Sequence, residues 1–200
     1  MLDDFLRDYS VSLVPPIMTE NETYVIVEQT LVPNLMTLVY QHGVADINYA
    51  AVFDQTPYQK NAAEGPVLIQ LTDKNNSFIN LMTLFTKNPC GCFLQSSKPF
   101  NEVLTWARNA LFVNTEKQQG LLRFYEPRML LPLIGALSLD EQVKFTDIID
   151  AIYWYHHNWL AYRNISERPI KDGQDFKLTL TAEQITEIQS IQEHYLEQLK

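Results

Sequence analysis

Apolar positions along the chain alternate between short strand-like runs and stripes with helical spacing. A run at residues 67–71 is apolar except at Gln70, as in a strand that is covered on both faces. The clearest helical stripe lies at residues 100–111. Further strand-like runs occupy residues 24–30, 48–53 and 92–95. This alternation predicts an α/β (α+β) fold with a mixed, largely parallel sheet flanked by helices.

The pattern changes near residue 138. Ser138 and Thr181 each stand three residues before a glutamate or glutamine, the spacing of a capping box, so each predicts a helix start. Between them, the aromatic-rich residues 148–162 predict a hairpin or a bent strand pair, with a helix as the alternative. We therefore divide the chain into an N-terminal α/β lobe, residues 1–137, and a smaller, mainly helical C-terminal lobe, residues 138–200.

Three local features complete this outline. Gly43 predicts the end of a helix that begins after Pro33, and residues 166–174 predict a turn or surface loop. Cys90 and Cys92 are separated by one residue, a spacing that would strain a disulfide. We expect them to be reduced thiols at the start of a buried strand, and we expect no metal and no cofactor.

Charge and hydropathy narrow the classes of partner. The formal net charge of −9 argues against nucleic acid, whose phosphate backbone would be repelled. No apolar run approaches the roughly 20 residues that cross a bilayer, so we expect no membrane partner. The acidic N-terminus lacks the pattern of a secretory signal, and we therefore expect a cytoplasmic protein.

The segment at residues 120–131 places three charges in an otherwise apolar run. Pro127 disfavours helix at Glu126 and favours a helix start at its own position. We therefore predict a strand that turns into a helix, with Arg123, Glu126 and Arg128 crowded at the junction. The favoured interpretation is a structural network that clamps the junction, and the alternative is an arginine surface for a partner.

Residues 123–128 read RFYEPR and resemble the R-F-Y-D-P-R signature of a bacterial family of type VI secretion effector adaptors, also called effector chaperones. Three other stretches resemble the family's pattern in the same order: GPVLIQL at 65–71, GCFLQS at 91–96 and LTWAR at 104–108. Trp106 stands where the family usually has a histidine, so no role for that histidine is carried over. The resemblance covers roughly residues 24–146.

This resemblance implies a protein that binds a secreted effector, itself a toxin, and the spike-tip protein VgrG before secretion. Recognition of this kind uses apolar and polar surface groups rather than a reactive residue. We expect residues 138–200 to select the partner. The candidate contact residues are Arg123, Tyr125, Glu126, Arg128, Trp154, Trp159, Ile188, Ile191 and Tyr195. For those after residue 150, the alternative is packing inside the protein's own core.

The catalytic patterns in the sequence are incomplete, so we expect no enzyme. Ser96 and Ser97 follow a strand as a hydrolase nucleophile would, but the glycines of the nucleophile elbow are missing. Pro99 is expected at the first helical position, so Ser97 or Lys98 is favoured as the cap of the next helix. His156 and His157 would face opposite sides of a strand and share no metal. Two alternative functions stay open: an immunity protein that neutralises a toxin, and a serine hydrolase.

Overall fold

The computed structural model describes residues 2–40, 47–71, 76–164 and 177–200. The helix end predicted at Gly43 and the loop predicted at residues 166–174 lie outside these residues. The helices described are α1 (Leu2–Asp8), α2 (Leu35–Tyr40), α3 (Asn76–Lys87), α4 (Phe100–Ala110), α5 (Pro127–Ala136), α6 (Leu139–Thr146) and α7 (Ala182–Gln198). The strands are β1 (Val11–Ser12), β2 (Glu22–Glu28), β3 (Tyr49–Ala51), β4 (Pro66–Leu71), β5 (Gly91–Ser96), β6 (Phe112–Asn114), β7 (Gln119–Leu121), β8 (Ala151–His156), β9 (Asn158–Arg163) and β10 (Leu178–Thr179).

Seven of the described strands form one sheet, in the order β1-β9-β8-β5-β2-β4-β3. Every neighbouring pair in it is antiparallel. The α+β class is therefore confirmed, but the prediction of a largely parallel sheet is wrong. A second, three-stranded sheet has the order β10-β6-β7, and only its β10–β6 pair is parallel.

Helices cover both faces of the large sheet, which explains the misleading pattern of its strands. One face packs on α2 and α3 through residues such as Phe85 and Phe93. The other packs on α1, α4, α5, α6 and α7 through residues such as Leu94 and Trp154. Because both faces are buried, the strands are apolar on both sides whatever their direction. Continuous apolar runs indicate such burial, and parallel sheets are only its commonest source.

The aromatic segment forms the hairpin β8–β9, so the hairpin prediction is confirmed. His157 makes the turn with a φ of 63°. The hairpin lies inside the large sheet, with β8 pairing to β5 and β9 to β1. The prediction of a mainly helical region after residue 137 is therefore wrong for residues 151–163, which form two strands. The physical reason is that this apolar hairpin is buried by pairing with β5 and β1. A role of residues 138–200 in partner selection stays a prediction.

Features set by neighbouring residues agree with the sequence. Capping boxes are present at Ser138 and Thr181. Pro127 opens α5, and Glu126 before it has an extended backbone. The strand before this junction is shorter than predicted, since β7 ends at Leu121 and the chain then turns into α5.

Gly91 permits the close approach of β5 to β2. A Cβ atom added there would lie 1.9 Å from the backbone oxygen of Ile26, and backbone atoms cannot move aside as a side chain can. We predict that Gly91→Ala lowers the free energy of unfolding by about 3 kcal/mol, measured by urea denaturation. The control is Gly120→Ala, whose Cβ would meet only a Val113 methyl group at 3.8 Å. Equal stability of the two variants would contradict this account.

Candidate partner-binding site

The candidate site lies at one end of the large sheet, where β2 ends, β5 begins and β8 ends. The backbone nitrogen of Glu28 donates to the Cys90 oxygen at 2.8 Å, which joins the first two of these ends. Because β8 runs antiparallel to β5, its last residue, His156, lies at the end of the sheet where β5 begins. The segment at residues 123–128 and the start of α5 complete the site, since Arg123 and Tyr125 contact Glu28 there.

The carboxylate of Glu28 is the centre of the site. Its side chain is 7% exposed, and its Oε2 atom accepts hydrogen bonds from Arg123 Nη2 at 2.5 Å and from the Tyr125 hydroxyl at 3.0 Å. Its Oε1 atom accepts a bond from the Thr30 hydroxyl at 3.2 Å. Removing a carboxylate from water is strongly unfavourable unless such donors replace the lost solvent. These three donors therefore determine how the chain after β2 and the segment before α5 meet.

Tyr125 connects the two charged groups. Its hydroxyl donates to Glu28 and accepts from Arg123 Nε at 3.2 Å. Burial raises the pKa of Tyr125 above its ordinary value, and the hydrogen bond from Arg123 offsets only part of this shift. The hydroxyl therefore stays protonated near pH 7 and able to donate. The Arg123 guanidinium carbon also lies 5.8 Å from the centre of the Tyr125 ring, within cation–π distance.

The charges at the junction form two separate pairs rather than one network. Arg123 pairs with Glu28, and Arg128 pairs with Glu126, to which its Nε donates at 2.7 Å. The Arg123 side chain is 48% exposed and that of Arg128 is 66% exposed. The prediction of one network of Arg123, Glu126 and Arg128 is therefore wrong, because the acid that holds Arg123 is Glu28 at the end of β2. Both arginines also reach the surface.

A cleft of about 490 Å³ opens beside these pairs. Its lining residues are Glu28, Leu31, Pro89, Cys90, Arg123, Tyr125, Glu126, Pro127, Arg128, His156 and His157. A volume of this size is within the usual range of ligand pockets, roughly 300–1,000 Å³. The cleft combines an apolar wall with arginine donors, which suits the binding of a group that has one polar and one apolar part.

The two histidines of the cleft lie close together. Their ring centres are 5.0 Å apart, because His157 sits in the hairpin turn and does not alternate as a strand residue would. This corrects the prediction that the two rings face opposite sides. Burial, with smaller contributions from the neighbouring His157 and Arg128, lowers the pKa of His156 to about 4. His156 is therefore neutral at pH 7 and adds no charge to the cleft.

Most of the candidate contact residues after residue 150 lie in the core. Trp154, Ile188, Ile191 and Tyr195 are buried, and the Tyr195 hydroxyl donates to the His156 backbone oxygen at 2.5 Å. Trp159 is partly buried against Phe93, with ring centres 6.0 Å apart. A partner could reach the four buried side chains only if this region opened. Their role in binding stays a prediction.

Several residues of the cleft were not predicted from the sequence to belong to a site. Glu28 is the most important, and Leu31, Pro89 and the two histidines join it. One local signal for Glu28 exists: it is an acid directly after the apolar run Val25-Ile26-Val27 of a strand. Such an acid needs a partner. Nothing local shows that this partner lies 95 residues further along the chain.

The serines after β5 have structural hydrogen bonds. Ser96 is fully buried, and its hydroxyl donates to the Ile148 oxygen at 2.6 Å and accepts from the Lys98 nitrogen at 3.0 Å. The cap of α4 is Pro99, without a side-chain hydrogen bond, so the prediction that Ser97 or Lys98 caps this helix is wrong. The proline already sets the extended backbone that a cap position requires.

The two cysteines are free and buried, as predicted. Burial, with a smaller contribution from Glu28, raises the pKa of Cys90 to about 12, so this thiol of the cleft is protonated at pH 7. Within the described ranges, no group of three or more histidine, cysteine or acidic side chains is placed to hold a metal ion. No helix among these residues has the length and apolar character needed to cross a membrane.

The chain matches the model of one protein family, described as a domain of unknown function (DUF4123), over residues 23–144. The match covers more than half of the chain, which therefore belongs to this family. It includes β5, the segment at residues 123–128 and all of β2 after its first residue, Glu22. The Glu28 contacts lie within this range. Comparison with curated proteins and with solved structures found no match.

The Tyr125 hydroxyl gives a direct test of the interactions around Glu28. Removing it in Tyr125→Phe takes one of three donors from a buried carboxylate and one acceptor from Arg123. We predict a loss of about 1–2 kcal/mol in the free energy of unfolding, measured by urea denaturation. The control is Tyr49→Phe, at an exposed position, where a change within about 0.5 kcal/mol is expected. A Tyr125→Phe variant as stable as this control would contradict the described contacts.

Proposed function

We propose that this protein is a non-enzymatic adaptor that binds a type VI secretion effector and promotes its loading onto the spike-tip protein VgrG. Membership of the family over residues 23–144 is the observation that carries the proposal. The family description itself states no function. The link to type VI secretion comes from the resemblance of residues 123–128 to the adaptor signature. We also propose that the protein acts in the cytoplasm, before secretion.

The chemistry of the site supports binding rather than catalysis. The cleft presents arginine side chains beside Leu31, Pro89 and Pro127, a combination that is common where proteins recognise one another. Its carboxylate, Glu28, is occupied by three internal donors. Its thiol, Cys90, is protonated at pH 7. These groups suit a surface for non-covalent recognition.

The same proposal assigns different roles in binding to the two parts of the chain that line the cleft. The signature segment and β2 form one side of the cleft, while His156 and His157 add residues from the region after 137. We propose that the segment shared with the family supplies the general binding surface. The later region then adjusts which effector is accepted.

Secretion of a toxin encoded beside the gene tests this function. Deleting the gene should leave the toxin inside the cell and abolish its export, and the tagged full-length protein should co-purify with the toxin and with VgrG. Normal export in the deletion strain would contradict the proposal.

Two further measurements separate the alternatives. An immunity protein would rescue cells that express the toxin in their own cytoplasm, whereas an adaptor is required for export. A serine hydrolase would lose activity in Ser97→Ala, a change that avoids the buried Ser96, whereas an adaptor would still support full secretion with that variant.

A further inference from the structure

We infer that the cleft beside Arg123 and Arg128 binds a carboxylate-bearing segment of the protein partner, with a neighbouring apolar side chain placed on Leu31 and Pro89. This inference rests on the proposed adaptor function and specifies the chemistry of its partner. It follows from the donors that the cleft leaves available, from the exposure of its charged groups, and from its apolar wall.

The charge that the cleft presents outward comes mainly from its arginines. The formal charges of Glu28 and Glu126 balance those of the two arginines, but Glu28 is only 7% exposed and its oxygens accept hydrogen bonds from three internal donors. Glu126 is 25% exposed, whereas Arg123 and Arg128 are 48% and 66% exposed. In a chain of net charge −9, this is a local surface at which guanidinium groups dominate. A carboxylate is the complementary group.

Contacts within the protein order the Arg123 side chain and leave part of its guanidinium available for a second carboxylate. Its Nη2 atom is fixed by Glu28 and its Nε atom by Tyr125. Among the described residues, its Nη1 atom has no hydrogen-bond partner, which leaves donors for a partner. A side chain that is already ordered loses little conformational entropy on binding, and the planar guanidinium matches the geometry of a carboxylate.

Arg128 can exchange partners at small cost. Its pair with Glu126 is local and its own side chain is 66% exposed, and ion pairs at the surface add little to fold stability. A carboxylate from a partner could therefore replace Glu126 without loss of fold stability. Arg123 then anchors the incoming acid, and Arg128 adds a second contact that is easily formed and released.

An apolar wall of the cleft would contact the apolar side chain of the bound segment. Leu31 is 48% exposed although it is a large apolar residue, and Pro89 and Pro127 lie in the same lining. An acidic peptide segment with an adjacent apolar side chain would cover this wall. A polyanion such as nucleic acid would instead meet repulsion from the strongly acidic chain as a whole.

A random dodecapeptide library displayed on phage, selected on the full-length protein, tests this inference. Selected peptides should carry aspartate or glutamate beside an apolar residue. Synthetic copies of them should bind about tenfold more weakly to Arg123→Met, and several-fold more weakly to Arg128→Met, in fluorescence polarisation. Arg128→Met should keep the melting temperature of the wild type because its pair is exposed. It therefore tests binding even if Arg123→Met is unstable.

Arg7→Met is the matched control. Arg7 also forms an exposed local pair, with Asp4 at 3.4 Å, but it lies outside the cleft. The selected peptides should bind this variant as they bind the wild type. Peptides without enriched acidic residues, or equal affinity for Arg128→Met and the wild type, would overturn the inference. If the toxin is exported normally without the protein but peptides bind as expected, the adaptor proposal fails and the cleft chemistry stands.

Discussion

The burial of one carboxylate, that of Glu28, is the constraint on which the site depends. An acid at the end of a central strand cannot be withdrawn from water without donors, and the Glu28 donors come from Thr30, Arg123 and Tyr125. Two of the three belong to a segment almost a hundred residues away. The need to satisfy this acid therefore fixes the segment at residues 123–128 to the sheet and orients the Arg123 side chain.

The same arrangement explains why a segment with structural contacts also has a free surface. Arg123 uses one side of its guanidinium for Glu28 and Tyr125, and its half-exposed side chain retains donors. Lysine would keep the charge but not the planar fork that serves two partners at once. Pro127 starts α5, and the residue after it, Arg128, lines the same cleft. The residues that hold the junction are therefore also the ones that we propose for binding a partner.

Sequence reasoning succeeded where neighbouring residues determine the structure. The capping boxes at Ser138 and Thr181 and the helix start at Pro127 depend on contacts within four residues, and all three are present. It failed where distant segments meet. A nearly unbroken apolar run such as residues 67–71 indicates burial on both faces but carries no information on whether its neighbours run parallel. The partner of Arg123 could not be predicted either. The sequence around Arg123 does not show which of the chain's acidic residues pairs with it, and the partner, Glu28, lies 95 residues away.

The coupling between Glu28 and Arg123 tests the central claim most directly. A double-mutant cycle with Glu28→Gln and Arg123→Met, followed by urea denaturation, isolates the interaction of the two side chains from their other contacts. The account predicts a coupling of about 1 kcal/mol or more, because one member is buried and charged. The parallel cycle with Glu126→Gln and Arg128→Met should give below about 0.5 kcal/mol, as for exposed pairs. A Glu28–Arg123 coupling of zero would show that the buried acid does not hold the segment at residues 123–128, and would contradict the account.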